Sequence, residues 1–141
     1  QVATAQAYNG ANPLVRPITI NYDILYVQQK GSIVRNFAYD FFSNIYTGAD
    51  LTELSKHLFS GYDITRWDWA EEPNKLVWAV RSDGKLLSMT YMRGPYAFRA
   101  QEGDVFSWAR HDTNGLFQSI AVVTEPPVDA PYFVVERRIG V

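Results

Sequence analysis

The chain has 141 residues, of which 47% are hydrophobic, 15% aromatic and 20% charged, with a formal net charge of −2. This composition supplies apolar surface for one domain-sized core and excludes the low-hydrophobicity, high-charge signature of a disordered segment. The acidic balance gives no global attraction to phosphate backbones, which disfavours a sequence-specific DNA binder, and the absence of cysteine excludes disulfides, thiolate nucleophiles and sulfur-ligated zinc.

Residues 1–13 are rich in Ala, Asn, Gly and Gln without periodicity and read as a flexible N-terminal tail or linker. The start lacks both an initiator Met and the layout of a signal peptide, so the chain reads as a piece of something longer. A single β-rich domain is expected over 14–141. Its first hairpin signal is residues 24–29, then Lys30-Gly31-Ser32, then 33–39, with glycine supplying the positive φ of a tight turn.

Residues 50–59 carry the one helix signal: Leu51, Leu54 and Leu58 recur on one face, Asp50 stands ready to cap the first turn, Glu53 follows as in a capping box, and Gly61 offers the stop. Residues 64–69 alternate bulky and polar side chains, and Pro73 closes them off as a short or edge strand. A second hairpin is expected from 75–81 and 86–91 around Asp83-Gly84. A third is expected from 105–110 and 116–123 around Asn114-Gly115, followed by a Pro-rich loop at 126–131 and a last strand at 132–138. Apolar runs such as 76–80 are strand-length and far short of the roughly 18–20 residues that span a bilayer.

The segments Trp78-Ala79-Val80-Arg81 with Asp83-Gly84 and Trp108-Ala109-Arg110 with Asn114-Gly115 form a weak internal repeat. Blade-like repetition is one reading and an ordinary antiparallel meander the other, because turn chemistry is limited enough to make any two hairpins look alike. The expected class is therefore mainly β, with antiparallel hairpins that are propeller-blade-like or arranged as a meander or sandwich, and one short α-helix.

Several stretches together resemble a known family: Tyr39-Asp40 to Tyr46, Ala49-Asp50-Leu51-Thr52, His57-Leu58, Pro73, 78–86, Thr90-Tyr91 with Arg93, and 108–113 with Gly115. The family is that of bacteriophage and prophage tail proteins, of the hub or nozzle type found in short-tailed phages. The likeness runs from about Ile24 to Ile139, and its most telling part is the hairpin at 78–91. Where the family pattern has a short charged link between the Thr-Tyr strand and the next tryptophan strand, this chain inserts residues 94–104, read as a partner-contacting loop. The resemblance implies a longer structural protein, built of propeller-like parts, that forms rings around the channel through which DNA leaves the virion. It also implies homo-oligomerisation of the full-length form, other tail or portal-region proteins as partners, at most nonspecific DNA contact, and expression in the host cytoplasm. It carries no catalytic residues.

The residues taken alone lead the same way. His57 and His111 are the only imidazoles, and with Asp50 or Asp112 they lack the spacing of a zinc site. Asp68, Glu71 and Glu72 are the one local acidic cluster that invites acid–base hydrolysis, but Glu71-Glu72-Pro73 reads better as a solvated turn. Neither a Gly-x-Ser-x-Gly elbow nor a phosphate-cradling glycine loop is present. No catalytic, cofactor-binding or metal-binding residue is assigned, and no cofactor is expected.

Trp67 and Trp69, which share a strand face, and Tyr96 and Phe98 in the insertion read equally as contact surface for a protein partner or as buried packing, with Arg99 a candidate contact beside them. Trp78 and Trp108 are expected in the core. Arginines at 35, 66, 81, 93, 99, 110, 137 and 138 suit bidentate pairing at subunit interfaces, surface charge, or, if several converge on one rim, nonspecific lining of a DNA channel. Two functions are thus carried forward: a tail structural protein working through protein interfaces, and a receptor- or glycan-binding module. The second needs Trp67, Trp69, Tyr96 and Phe98 to gather in an open concave patch.

Overall fold

Apolar residues at alternate positions, punctuated by glycine and proline, produce three stacked antiparallel layers. The computed structural model describes residues 10–40, 44–93 and 104–140. Its first layer is a meander of β1 (Ile18–Ile20), β2 (Asp23–Val27), β3 (Val34–Asp40) and β4 (Ile45–Thr47), side by side in that order. The second repeats the arrangement with β5 (Ile64–Ala70), β6 (Leu76–Arg81), β7 (Leu86–Met92) and β8 (Val105–His111). The third is a two-stranded ribbon of β9 (Leu116–Glu125) and β10 (Val128–Glu136). Among the described residues the protein is mainly β, with one short helical piece and no closed barrel.

Two turns show why glycine stands where it does. Gly31 joins β2 to β3 at φ +82, and a Cβ there would meet the Asp63 side chain at 2.5 Å. Gly84 sits at φ +76 between β6 and β7, where a Cβ would meet Leu116 at 2.8 Å. Both positions require the left-handed region and a close approach, so each turn is bound to a neighbouring layer as well as to its own hairpin.

The middle layer is covered on both faces. One face presents Trp67, Val77, Ala79, Leu87, Met89 and Trp108 to Leu25, Val27 and Val34 of the first layer and to Leu51 and Phe59. The other presents Trp78, Val80 and Leu86 to Phe117, Ile120 and Phe133 of the ribbon. Trp78 and Trp108 head similar sequences yet point to opposite faces. Trp108 stands opposite Met89, which stands opposite Val77, whereas Trp78 stands opposite Ser88. A shift of one residue in register turns a side chain to the other face.

Three local expectations are corrected. The runs 105–110 and 116–123 do not pair with each other. β8 lies against β7, and β9 leaves the layer to pair with β10. The link bends over the β6–β7 turn, where the Phe117 amide donates to the Gly84 carbonyl at 2.9 Å. The Pro-rich loop is also shorter than expected: Pro126 and Pro127 make the turn, and β10 starts at Val128. Pro131 lies inside that strand opposite Val122. The Val122 amide points away from β10 to Asp68, so Val122 and Pro131 form a non-hydrogen-bonded pair. The missing proline donor therefore faces the outer edge, where it interrupts no ladder.

The third correction concerns the helix, which is a 3₁₀ helix over Glu53–Leu58 with non-helical geometry at Ser55. The Asp50 carboxylate accepts from the Thr52 amide and hydroxyl, forming a local turn in place of a capping box. The Leu51 amide donates to the Val34 carbonyl at 2.8 Å. Anchoring to β3 at that point resets the phase of the segment, so Leu51 and Leu58 are buried while Leu54 is 84% exposed. Leu54→Ser is expected to change the unfolding free energy by less than about 0.5 kcal/mol. Leu51→Ala should cost about 2–5 kcal/mol, and urea denaturation of both variants separates the two positions.

Backbone pairing begins within the segment read as a tail. Ala11 bridges Gln28, the Asn12 amide donates to the Val27 carbonyl at 2.8 Å, and the Gln29 amide donates to the Gly10 carbonyl at 3.0 Å.

Candidate interaction surfaces

The aromatic pair on β5 faces inward. Trp67, opposite Ala79, is buried, and its indole N–H donates to the Arg16 carbonyl at 2.6 Å. Trp69, opposite Val77, is half-buried and packs against the same core. Neither offers the open stacking face that glycan binding by this pair requires. Tyr96, Phe98 and Arg99 lie outside the described residues.

The roots of the insertion are held by a polar cluster that sequence reasoning missed. Arg93, at its start, donates from Nη1 to Asp23 Oδ1 at 2.8 Å, and its Nε lies 3.9 Å from Asp104 Oδ1 at the far end. The Tyr91 hydroxyl donates to Asp23 Oδ2 at 2.7 Å, and Asn36 Nδ2 donates to that hydroxyl at 3.5 Å. Asp23 is 1% exposed. Burial raises its carboxyl above the usual value, against the lowering effects of the Tyr91 hydrogen bond and the Arg93 charge, and Asp104 adds to the rise. Burial also pushes the Tyr91 phenol up, helped by its bond to Asp23. Arg93 directly precedes the insertion and Asp104 is its last residue, but nothing in sequence paired either with Asp23.

The ribbon is apolar on both faces. Phe117, Ile120 and Phe133 turn inward. The alternate positions Ala121, Val123, Val128, Tyr132 and Val134 turn outward and are exposed. An antiparallel sheet normally keeps one solvated polar face, whereas this one also exposes apolar side chains on its outer side, beside Glu125, which accepts from the Tyr132 hydroxyl. The free edge of β10 is blunted by Pro131. Its start is tied to the β5–β6 turn, where Asp129 Oδ2 accepts from the amides of Glu71 and Glu72 at 2.8 and 3.2 Å. Those donors hold the Asp129 carboxyl below its usual range.

The acidic cluster at 68–72 is structural in its contacts. Asp68 Oδ1 accepts from the Trp69 amide at 2.9 Å and Oδ2 from the Val122 amide at 2.7 Å, so the carboxylate is a strut between β5 and β9. His57 lies in the 3₁₀ helix. His111 Nε2 is 2.7 Å from Ser88 Oγ, a diagonal cross-strand contact. The neighbouring Asp112 is engaged by Lys85 and Arg110. Among the described residues no three His, Cys, Asp or Glu side chains gather as metal ligands.

The arginines are spread over separate sites. Arg81 is buried, paired with Asp83, bonded through Nη1 to the Leu58 carbonyl at 2.6 Å and stacked over Tyr62. Arg35 donates to Gln28 at 2.9 Å, and Arg137 reaches Thr113. No protein-family model matches the sequence, and no curated protein does.

Proposed function

We propose that the protein is a structural component of a phage tail that acts by assembly, stacking its β layers against those of further copies. The observation that carries this reading is the outward face of the β9–β10 ribbon. Within the molecule, the first and second layers bury their apolar faces against one another, and the second buries its other face against the ribbon. The outer ribbon face repeats that apolar alternation with nothing described over it, and burying it is favourable by roughly 25 cal/mol per Å² of apolar area. The family resemblance of the sequence points the same way, to a ring-forming tail component in contact with other tail or portal-region proteins.

Sedimentation equilibrium of the chain, over a range of concentration, tests this. The wild type is expected to associate beyond its 16.1 kDa monomer. A Tyr132→Lys, Val134→Lys double variant should remain monomeric with an unchanged circular dichroism spectrum. A wild type that stays monomeric at every concentration, or a variant that associates equally well, would overturn the reading.

A further inference from the structure

A groove of about 950 Å³ runs along β5, lined by residues 11–18, 65–68, Ser119 and Ile120. It continues past Leu14, Thr65 and Arg66 into a hollow of about 680 Å³ that reaches Gly84 and Phe117. The strand beside it has an open edge. The Arg81 amide donates to Lys85 and the Tyr91 amide to Lys75, so the odd residues of β6 bond toward β7 and the even ones toward β5. Arg66, Asp68 and Ala70, opposite Val80, Trp78 and Leu76, therefore bond inward.

The backbone of Trp67 then points out of the sheet into the groove. At one end of this window the Ile64 amide is taken by the Gly31 carbonyl, and at the other the Trp69 amide is taken by Asp68. Between them, the N–H and C=O of Trp67 have no partner among the described residues. On β9 the same alternation, fixed by the Val122 amide on Asp68, directs the N–H and C=O of Ile120 away from β10 and toward this cleft.

The charge along the groove is uneven. Asp68 lies inside it, but both carboxylate oxygens already accept backbone amides. Arg16 and Arg66 line it, are exposed, and have no carboxylate within ion-pair distance among the described residues. Leu14, 79% exposed, adds an apolar wall. Asp63 is exposed at the far end of the second hollow, so the excess positive charge is local to the part beside Trp67.

From these observations we propose that the groove binds an extended acidic peptide segment of another protein, which adds to β5 as a strand at Trp67. A peptide residue opposite Trp67 would exchange two main-chain hydrogen bonds with it, and a neighbouring Asp or Glu would reach Arg16 and Arg66. Strand spacings of about 4.8 by 10 Å with a rise of about 3.3 Å give roughly 160 Å³ per residue, so a four-residue segment fits the volume. This inference is independent of the assembly reading, which rests on the opposite side of the ribbon.

The probe is a capped hexapeptide alternating valine with aspartate, titrated into the ¹⁵N-labelled chain, with its valine–lysine counterpart and a single-stranded oligothymidylate as comparisons. The aspartate peptide is expected to shift the amide resonances of Trp67 and Ile120. An Arg16→Ser, Arg66→Ser double variant should weaken that binding by about tenfold or more, in keeping with the loss of two charge-assisted contacts. The lysine peptide should leave both amides in place. The inference fails if the aspartate peptide moves neither amide, if the double variant binds it equally well, or if the oligonucleotide shifts the same amides and displaces the peptide. Both arginines are exposed, so the variant should fold. Because the assembly test uses the ribbon face, failure of one leaves the other standing.

Discussion

Replacing Trp108 with alanine is expected to destabilise the protein by about 3–5 kcal/mol, the range for deleting a large buried aromatic. Trp108 lies where the first and second layers meet, with its ring edge-on to Phe59 at 4.8 Å between centroids. Its indole N–H donates to the Leu51 carbonyl at 2.8 Å. Trp108→Phe should therefore still cost about 1–3 kcal/mol, since it leaves that buried carbonyl without its donor. Trp78, which begins the matching segment of sequence, should behave differently. It packs against Phe133 and His111, but its buried indole nitrogen has no hydrogen-bond partner among the described residues. Trp78→Phe removes an unsatisfied donor and is expected to be close to neutral. Equilibrium urea unfolding of the three variants measures the difference, and equal costs for the two phenylalanine variants would contradict the difference in hydrogen bonding at the two indoles.

The second large effect is expected at the root of the insertion. Arg93→Ala strands the Asp23 carboxylate in a site where it is 1% exposed. Removing one partner of a buried pair typically costs about 3–5 kcal/mol, and the part-exposed Arg93 argues for the lower end. The cost should depend on pH in a defined direction. The folded-state carboxyl of Asp23 lies above its ordinary value, chiefly through burial. Its stabilising contribution is thus fully present below the unfolded carboxylate range and is lost as pH rises through the folded value. Without Arg93 the value rises further, so the penalty is largest at neutral pH and shrinks as Asp23 takes up a proton. Urea unfolding of wild type and variant at pH 7 and pH 5 should show the difference narrowing on acidification. A gap that stays constant would mean that the buried charge is not the cause.

Arg93 bonds Asp23, the first residue of β2, and lies 3.9 Å from Asp104, so one guanidinium links the two carboxylates.

Where local chemistry decides the outcome, the sequence was legible. Lys30-Gly31-Ser32 and Asp83-Gly84 demand backbone angles that only a tight turn uses, so the β2–β3 and β6–β7 hairpins could be read directly. Alternation over 64–69 ending before Pro73 read as a short or an edge strand, and β5 lies at the edge of its sheet with seven residues. The same rules failed at Asn114-Gly115. A turn signal says that the chain changes direction, but not whether the next run returns to the same sheet or crosses to another layer. At Leu54 the helical period was broken by an anchor on β3, a contact between residues far apart in sequence.

Local chemistry was enough for antiparallel strands joined by short turns, because φ preference and side-chain alternation act within a few residues. Contacts across the fold settled which face each tryptophan takes, that Arg93 brings Asp23 and Asp104 together, and that β5 leaves an open edge beside two arginines. The physical reason lies in the middle layer. Both its faces are covered, so a strand such as β7 is buried nearly throughout, and alternation no longer distinguishes inside from outside. What remains is fixed by register and stacking, and these depend on partners that are distant along the chain.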